Sequence, residues 1–431
     1  MTAARSVFSG FVAEHRRRRT LLVQPRMGFS DPVTMRRGLR AVAEAGVPAV
    51  GTVTLDSYTR TGQHDLAALS ISSGVPLNGY PLVALGPAVT AELVDGLYGP
   101  RFPVQVRHGS AQPEDIFAAM LEAGLDASEG GPVSYCLPYS SVPLRTAAKS
   151  WSRSASLLAE QAVECHLESF GGCMLGQLCP PGLLVALSVL ECLFFAEHGV
   201  RSVSASYAQQ TSPEQDAEAL WAMRRLCAEE LSTVDYHVVL YTYMGLFPES
   251  AAGARELVAE SVRLAVRTGT ERLIVKTTAE AHRIPTVEEN VEALRLAHAT
   301  ALEQPAPAAP PPGDTEVYAQ ARRLVDEVRS LAPTLAEALP AAFERGLLDV
   351  PYCLHPDNGN ETRCVLDDEG RLQWWHTGRM PLPPALGGRR GHDRVSATRL
   401  LADLSYHRRR LDPVLPGART GPSLIQPTSW E

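Results

Sequence analysis

Three arginines stand at or just past the C-terminal ends of short apolar runs. "LLVQPRMG" delivers Arg26, "GTVTLDSYTR" delivers Arg60, and "FPVQVRHG" delivers Arg107 with His108 directly behind it. A guanidinium does not shed its charge by deprotonation, so three that converge need anions, and its planar fork matches a carboxylate bidentately. One such arginine alone is explained by a rim ion pair with a local acid such as Asp56. Three at equivalent positions argue for a ligand with more than one acidic group. The following segment, "DASEGGPVSYCLPY", adds Glu129 ahead of two glycines and Tyr135 and Tyr139 four residues apart. Glu129 is suited to hold a ligand ammonium or to accept a proton. The tyrosines either orient polar ligand groups or pack at a rim with satisfied hydroxyls. "IVKTTAEAHRIP" places Lys276 at a strand end and Glu280 four residues on. That pair is read as a helix ion pair or as a contact to a hydroxyl-bearing ligand such as a ribose. The pattern points to a small amino-dicarboxylate. It contains no nucleophile–base pair, metal set or redox motif, and a site rich in binding groups but poor in catalytic ones leaves the chemistry to a cofactor.

The elements that must position these residues alternate. Strand candidates are 20–26, 48–56, 75–81, 102–108, 132–138, 173–179, 201–207, 237–244 and 272–278, with helical patterns between them. The clearest helix follows "TSPEQDAEAL": Ser212 is its N-cap, Pro213 takes the first helical position, and acids fill the first turn. Such alternation predicts a parallel sheet, doubly wound or closed as a (β/α)₈ TIM-type barrel. No GxGxxG or P-loop opens a helix, which weakens the doubly wound option. A barrel needs eight strands, so one candidate, 75–81 or 132–138, is expected to be a loop excursion. In a barrel all the strand ends named above share the catalytic face. The expected organisation is an N-terminal helical arm (1–19), a barrel carrying the site (20–304), and a Pro/Ala-rich linker, a helix over about 316–346 and a smaller α+β C-terminal lobe with a hairpin (305–431).

Composition narrows the function classes. A net charge of −8 over 431 residues argues against a general nucleic-acid or membrane-surface binder. The basic run Arg16–Arg19 is read as a solvated helix face. Residues 169–190 carry no charge, but Gly171, Gly172, Pro180 and Pro181 interrupt them, so they read as a buried strand, a turn and a buried helix rather than a membrane span. The eight cysteines show no CxxC pair and no zinc spacing, the N-terminus lacks an apolar signal region, and the expected location is the cytoplasm with reduced, mostly buried thiols.

Nine ordered motifs then carry a resemblance: "QPRMG", "DSYTR", "LNGYP", "QVRHG", "SEGGPVSY", "LPY", "ESFGG", "MGLFP" and "IVKTTAEAHRIPT". With them the chain resembles the large epsilon (E) subunits of adenosylcobalamin-dependent glutamate mutase, also called methylaspartate mutase, over residues 20–290 and more weakly to about 352. The resemblance implies a (β/α)₈ barrel. It implies that Arg26, Arg60, Arg107 and His108 grip the substrate carboxylates, that Glu129 meets the amino group and is the catalytic residue, and that Tyr135 and Tyr139 complete the substrate site. It implies cofactor contacts from Gly28, Asn78, Pro138, Phe247, Lys276, Glu280 and Ile284. The implied reaction is the reversible radical rearrangement of L-glutamate to (2S,3S)-3-methylaspartate. Within the family pattern, "SYAQQTS" (206–212) replaces a glycine-rich region, and 353–375 is unlike the family.

The family's cobalamin module carries a DxHxxG motif. The sequences around His198, His355 and His392 do not fit it. The resemblance therefore implies a separate small S subunit that shares the cofactor, with a homodimer of this chain inside a heterotetramer. Two other readings stay open: a related mutase for another amino-dicarboxylate, and a non-catalytic amino-dicarboxylate-binding homologue.

Overall fold

Eight parallel strands, each hydrogen-bonded to its neighbours in the order β1-β8-β7-β6-β5-β4-β3-β2, make the centre of the computed structural model. They are β1 Leu22–Pro25, β2 Gly51–Thr54, β3 Val104–Arg107, β4 Ala127–Gly130, β5 His166–Gly172, β6 Ser202–Ala208, β7 Asp235–Tyr241 and β8 Arg272–Val275. The ring closes between β1 and the approach to β2: the Val50 amide donates to the Val23 carbonyl (3.0 Å) and the Val23 amide to that of Pro48 (3.1 Å). This is a (β/α)₈ barrel, one of the two architectures the alternation allows and the one the resemblance implies. The structure describes residues 5–174, 178–386 and 395–412.

Six of the strand candidates coincide with barrel strands, and three do not. Residues 75–81 are a loop with a single bridge, Leu55 to Tyr80. Residues 132–138 are helical turn, and 173–179 begins beyond β5, with 175–177 outside the described residues. The strands in their places are β4 and β5. β4 reads Ala-Ser-Glu-Gly, of which Ala, Glu and Gly are depleted in strands, and it exists because burial and pairing on both sides impose it. The helix expected over 316–346 is two, Glu316–Arg329 and Leu335–Arg345. Pro333 divides them, since a proline pushes the residue before it out of the helical region. The helix after Ser212 runs Pro213–Glu230, with the Ser212 side chain accepting from the Gln215 amide. The uncharged run ends in the buried helix Pro181–Glu197. Among the described residues, no helix is long and apolar enough to cross a membrane.

The hairpin in "DDEGRLQWW" is antiparallel, β9 Arg363–Leu366 with β10 Leu372–His376, turning at Gly370 with φ +76°. Gln215 of the barrel brackets it, accepting from the Leu372 amide (2.8 Å) and donating to its carbonyl (3.0 Å). All eight cysteines are buried and unpaired.

The lumen is polar and ordered in layers, because side chains alternate along each strand. At its lower end the helix Val7–Arg18 acts as a stopper: Phe8 stacks on His166 with ring centroids 4.5 Å apart. Above it Arg272 donates to Gln24 (2.5 Å), Gln105 (3.1 Å) and Ser204 (3.3 Å) and pairs with Glu168, both charges being fully buried. The next layer up is the C-terminal mouth.

Candidate functional site

Local sequence explains how each mouth residue is presented. Pro25 has no amide and ends β1 one residue before Arg26. Gly28 follows because the chain touches β2 there: a Cβ would lie 2.2 Å from the Thr54 carbonyl oxygen. Arg60 ends a single helical turn, Ser57–Arg60, which buried Asp56 caps by accepting from the Tyr58 and Thr59 amides. Asp56 is thus a cap and not an ion-pair partner for Arg60. Arg107 is the last residue of β3. Glu129 lies on β4, two positions before Gly131, and the intervening Gly130 has φ +132° with no room for a side chain beside Trp151 and Tyr135.

Arg107 and Glu129 meet in one network. Arg107 Nε donates to Glu129 Oε2 at 2.7 Å, with both side chains buried. The same oxygen accepts from the Tyr241 hydroxyl at 2.8 Å, and Tyr135 donates to the other oxygen. Tyr241 also contacts Glu168 from the layer below, while Arg107 Nη2 donates to its oxygen at 3.3 Å. One phenolic proton therefore serves two carboxylates, Glu129 and Glu168. His108 is buried edge-on to Tyr135 (5.1 Å) and stacked on Trp151 (5.8 Å). Burial, helped by the charges of Arg60 and Arg107, pushes its imidazole down to about 3, so it is neutral. Its Nδ1 accepts from the Ser110 amide (3.0 Å), which puts the proton on Nε2. The Glu129 backbone acts on this ring, but Nε2 reaches no hydrogen bond of normal geometry.

Across the mouth, Lys276 Nζ lies 2.8 Å from Glu280 Oε1 and 5.1 Å from the centre of the Phe247 ring. Arg26 Nη1 approaches the same Glu280 oxygen at 3.5 Å. The pair is not on a helix: Glu280 sits in a turn beyond β8. Burial presses the Lys276 amine down to about 8 against the pull of Glu280, with Arg26 adding to the depression. Burial opposes ionisation of Glu280 too, but Lys276 and Arg26 hold its carboxyl below the usual value.

Arg60 and Tyr139 face a recess of about 570 Å³, lined also by Gly109, Gln112 and Pro138. Gly109 is required there, with φ +92° and Arg60 Cδ 3.2 Å from where a Cβ would be. Two predicted residues stand apart from the network, from the Lys276–Glu280 group and from the recess. Asn78 Oδ1 accepts from the Ser57 amide (2.9 Å), bracing the turn that carries Arg60, and Ile284 is 62 % exposed. The reading from sequence missed Tyr241 and Glu168. Alternation turns both inward only once the strands are fixed: Tyr241 is in phase with His237 and Val239 on β7, and Glu168 with His166 on β5.

Charge and valence are unbalanced at this mouth. Arg26, Arg60, Arg107 and Lys276 face two carboxylates, Glu129 and Glu280. Arg107 Nη1 and Arg60 Nε are buried without a hydrogen-bond partner, although buried donors are nearly always satisfied. The arrangement can hold an anion with two acidic groups.

Comparison with known proteins agrees in kind. The methylaspartate mutase E chain (MutE) family model matches residues 3–395. The chain is 30% identical over 377 residues to the glutamate mutase epsilon subunit of Halobacterium salinarum, covering 84% of this chain and 78% of that one. It is 29% identical over 404 residues to that of Desulfitobacterium hafniense (87% and 81%), and 28% identical over 350 residues to that of Escherichia coli O157:H7 (77% and 72%). A Thermotoga maritima phospho-2-dehydro-3-deoxyheptonate aldolase aligns over 67% of this chain and 71% of its own at 12% identity and a TM-score of 0.39, too distant to bear on function. With nearly its whole length matched, the chain belongs to the methylaspartate mutase E chain family, whose relatives are subunits of a mutase.

Proposed function

We propose that this chain is the catalytic subunit of an adenosylcobalamin-dependent isomerase interconverting L-glutamate and (2S,3S)-3-methylaspartate. The observation that carries the reading is the excess of cationic heads at the mouth, with an unpartnered N–H group on Arg107 beside the buried Glu129 and another on Arg60 at the recess. Arg26, Arg60, Arg107 and His108 bind the two carboxylates. Bidentate guanidinium contacts fix direction as well as affinity. Glu129, oriented by Arg107, Tyr135 and Tyr241, takes the ammonium and is assigned as the catalytic residue. Tyr135 and Tyr139 complete the pocket. Tyr135 packs on Trp151 (ring centroids 6.3 Å apart) and Phe170 (5.1 Å), an aromatic wall suited to keeping water from reactive species.

The cofactor fits the donor set on the other side of the mouth. Lys276 offers an ammonium, Glu280 a carboxylate and Phe247 an aromatic face, which suits a diol-bearing sugar with a flat base. Gly28, Asn78, Pro138 and Ile284 are assigned to its periphery. When bound, adenosylcobalamin supplies the radical chemistry through cobalt–carbon homolysis. The chain's own residues bind, orient and enclose the substrate beside it. The epsilon-subunit relatives support a further subunit. We assign it as a small cobalamin-binding S chain with DxHxxG, joined to a homodimer of this chain in a cytoplasmic heterotetramer.

The test is reconstitution. The chain alone with adenosylcobalamin is expected to be inactive, and adding the small subunit is expected to give glutamate–methylaspartate interconversion. Activity without a partner would overturn the two-subunit reading. Turnover of another amino-dicarboxylate, but not glutamate, would overturn the substrate.

A further inference from the structure

The first charge after the uncharged run 169–190 is Glu191. It lies on the helix Pro181–Glu197 and is 0 % exposed, and none of its hydrogen-bond partners, Val133, Ser134 and Ser169, is among the residues assigned to a ligand. Its four hydrogen-bond partners are all neutral donors. Oε1 accepts from the amides of Val133 (3.1 Å) and Ser134 (2.8 Å). Oε2 accepts from the hydroxyls of Ser134 (2.9 Å) and Ser169 (2.9 Å). A buried carboxylate without a counter-ion is costly, and burial raises this one to about 7 against the pull of those four bonds.

The backbone it holds carries the ammonium-binding pair. Gly131, two residues after Glu129, passes so close that a Cβ would lie 2.1 Å from the Glu191 carboxylate. Ser134 immediately precedes Tyr135, whose hydroxyl returns to Glu129 Oε1. The loop between them is therefore closed twice: on the lumen side by Tyr135 and Glu129, and from behind by Glu191. Ser169 extends the hold to β5, between Glu168 and Phe170.

We propose that Glu191 is a positioning residue for the Glu129–Tyr135 pair, acting from outside the lumen through the geometry of its acceptors and not through its charge. The proposal rests on the assignment of that pair to substrate. An amide can reproduce the geometry. Its oxygen can take the two backbone N–H groups, and its NH₂ can donate to the two hydroxyls; Ser169 Oγ, which already accepts from the Gly171 amide (3.1 Å), then turns its own proton to Ser188 Oγ (3.4 Å).

The experiment compares Glu191→Gln with Glu191→Leu in the assembled enzyme, reading kcat, KM for glutamate, adenosylcobalamin affinity and hydrogen exchange of the Val133 and Ser134 amides. E191Q is expected to stay within about threefold of the parent in kcat and KM, because each hydrogen bond is kept. E191L is expected to lower kcat/KM by about 10- to 100-fold, the usual consequence of loosening an oriented site. It should accelerate exchange at both amides and leave cofactor affinity unchanged. If E191L does not fold, Glu191→Asn, which withdraws the acceptor by one methylene, gives the same readouts. E191L with a lowered melting temperature but unchanged kcat and KM would reduce Glu191 to a core residue. E191Q as impaired as E191L would overturn the claim that geometry matters and not charge. If the parent does not turn over glutamate, the substrate reading fails by itself, and the exchange data still decide the proposal: unchanged exchange at both amides in E191L would overturn it.

Discussion

The middle layer of the lumen and the layer at its mouth are built from the same residue types, yet their hydrogen bonding closes differently. In the middle layer, Arg272 spends its guanidinium on Gln24, Gln105, Ser204 and Glu168, and His237 stands 3.3 Å from its Nε. Burial, together with the charge of Arg272, keeps His237 well below its usual value, and so neutral. At the mouth, Arg107 has a partner for Nε and Nη2 but none for Nη1. A closed polar layer is a structural device, whereas leftover donors in a buried layer mark where something else must bind. Tyr241 joins the two, touching Glu168 below and Glu129 above.

The largest effect should come from breaking the closed layer. Arg272→Met strands the fully buried Glu168 and leaves Gln24 and Gln105 short of a donor. Removing one member of a buried pair costs about 3–5 kcal/mol, so the urea midpoint should fall steeply. Adding Glu168→Gln, which removes the stranded charge, should recover a large part of the loss. An unchanged midpoint in the single variant would mean that the middle layer is not structural.

The open layer should respond in the opposite sense. Arg107→Lys keeps a cation beside Glu129 but loses the planar fork. Glutamate binding to the assembled enzyme should weaken by about 1.5–3 kcal/mol, one to two decades, with little change in thermal unfolding. A lowered melting temperature with unchanged affinity would place Arg107 with Arg272 as a structural residue.

The contrast between the layers was only partly visible in the sequence. The mouth announces itself because its arginines fall where apolar runs end, and residue type and position both register there. The middle layer is hidden: Gln24, Gln105, Glu168 and Arg272 lie inside strands, where a polar residue looks like an outward-facing one until the barrel closes around it. β4 was illegible for a related reason, since Ala-Ser-Glu-Gly has no strand preference of its own and is fixed by its neighbours. Glu129 was still found, through the glycines after it. The four-residue spacing of Lys276 and Glu280 suggested a helix, but a turn brings them together equally well. Glu191 left one trace, a lone acid closing an uncharged run, and only the loop packed against it gives that acid a task.

The smallest predicted effect on affinity concerns Lys276, at the border between the two behaviours: it is paired, as in the closed layer, yet depressed to about 8 by its burial. Its value in the unfolded chain is the ordinary 10.5, so between pH 8 and 10.5 the unfolded chain binds more protons than the folded one. Stability from this group therefore rises with pH across that window, because the folded protein no longer has to hold a desolvated ammonium. Ligand contact should move the other way. A neutral amine is a weaker donor than an ammonium, so affinity for the adenosyl group should fall as pH passes 8, by about 1 kcal/mol, the difference between a charged and a neutral hydrogen bond. Glu280 stays ionised throughout, since its carboxyl is held below the usual range. Thermal unfolding and cofactor titration of the assembled enzyme between pH 7 and 10 measure the two trends. Lys276→Met should flatten both. Affinity and stability that fall together above pH 8, or an affinity step that survives in K276M, would show that Lys276 does not face the ligand.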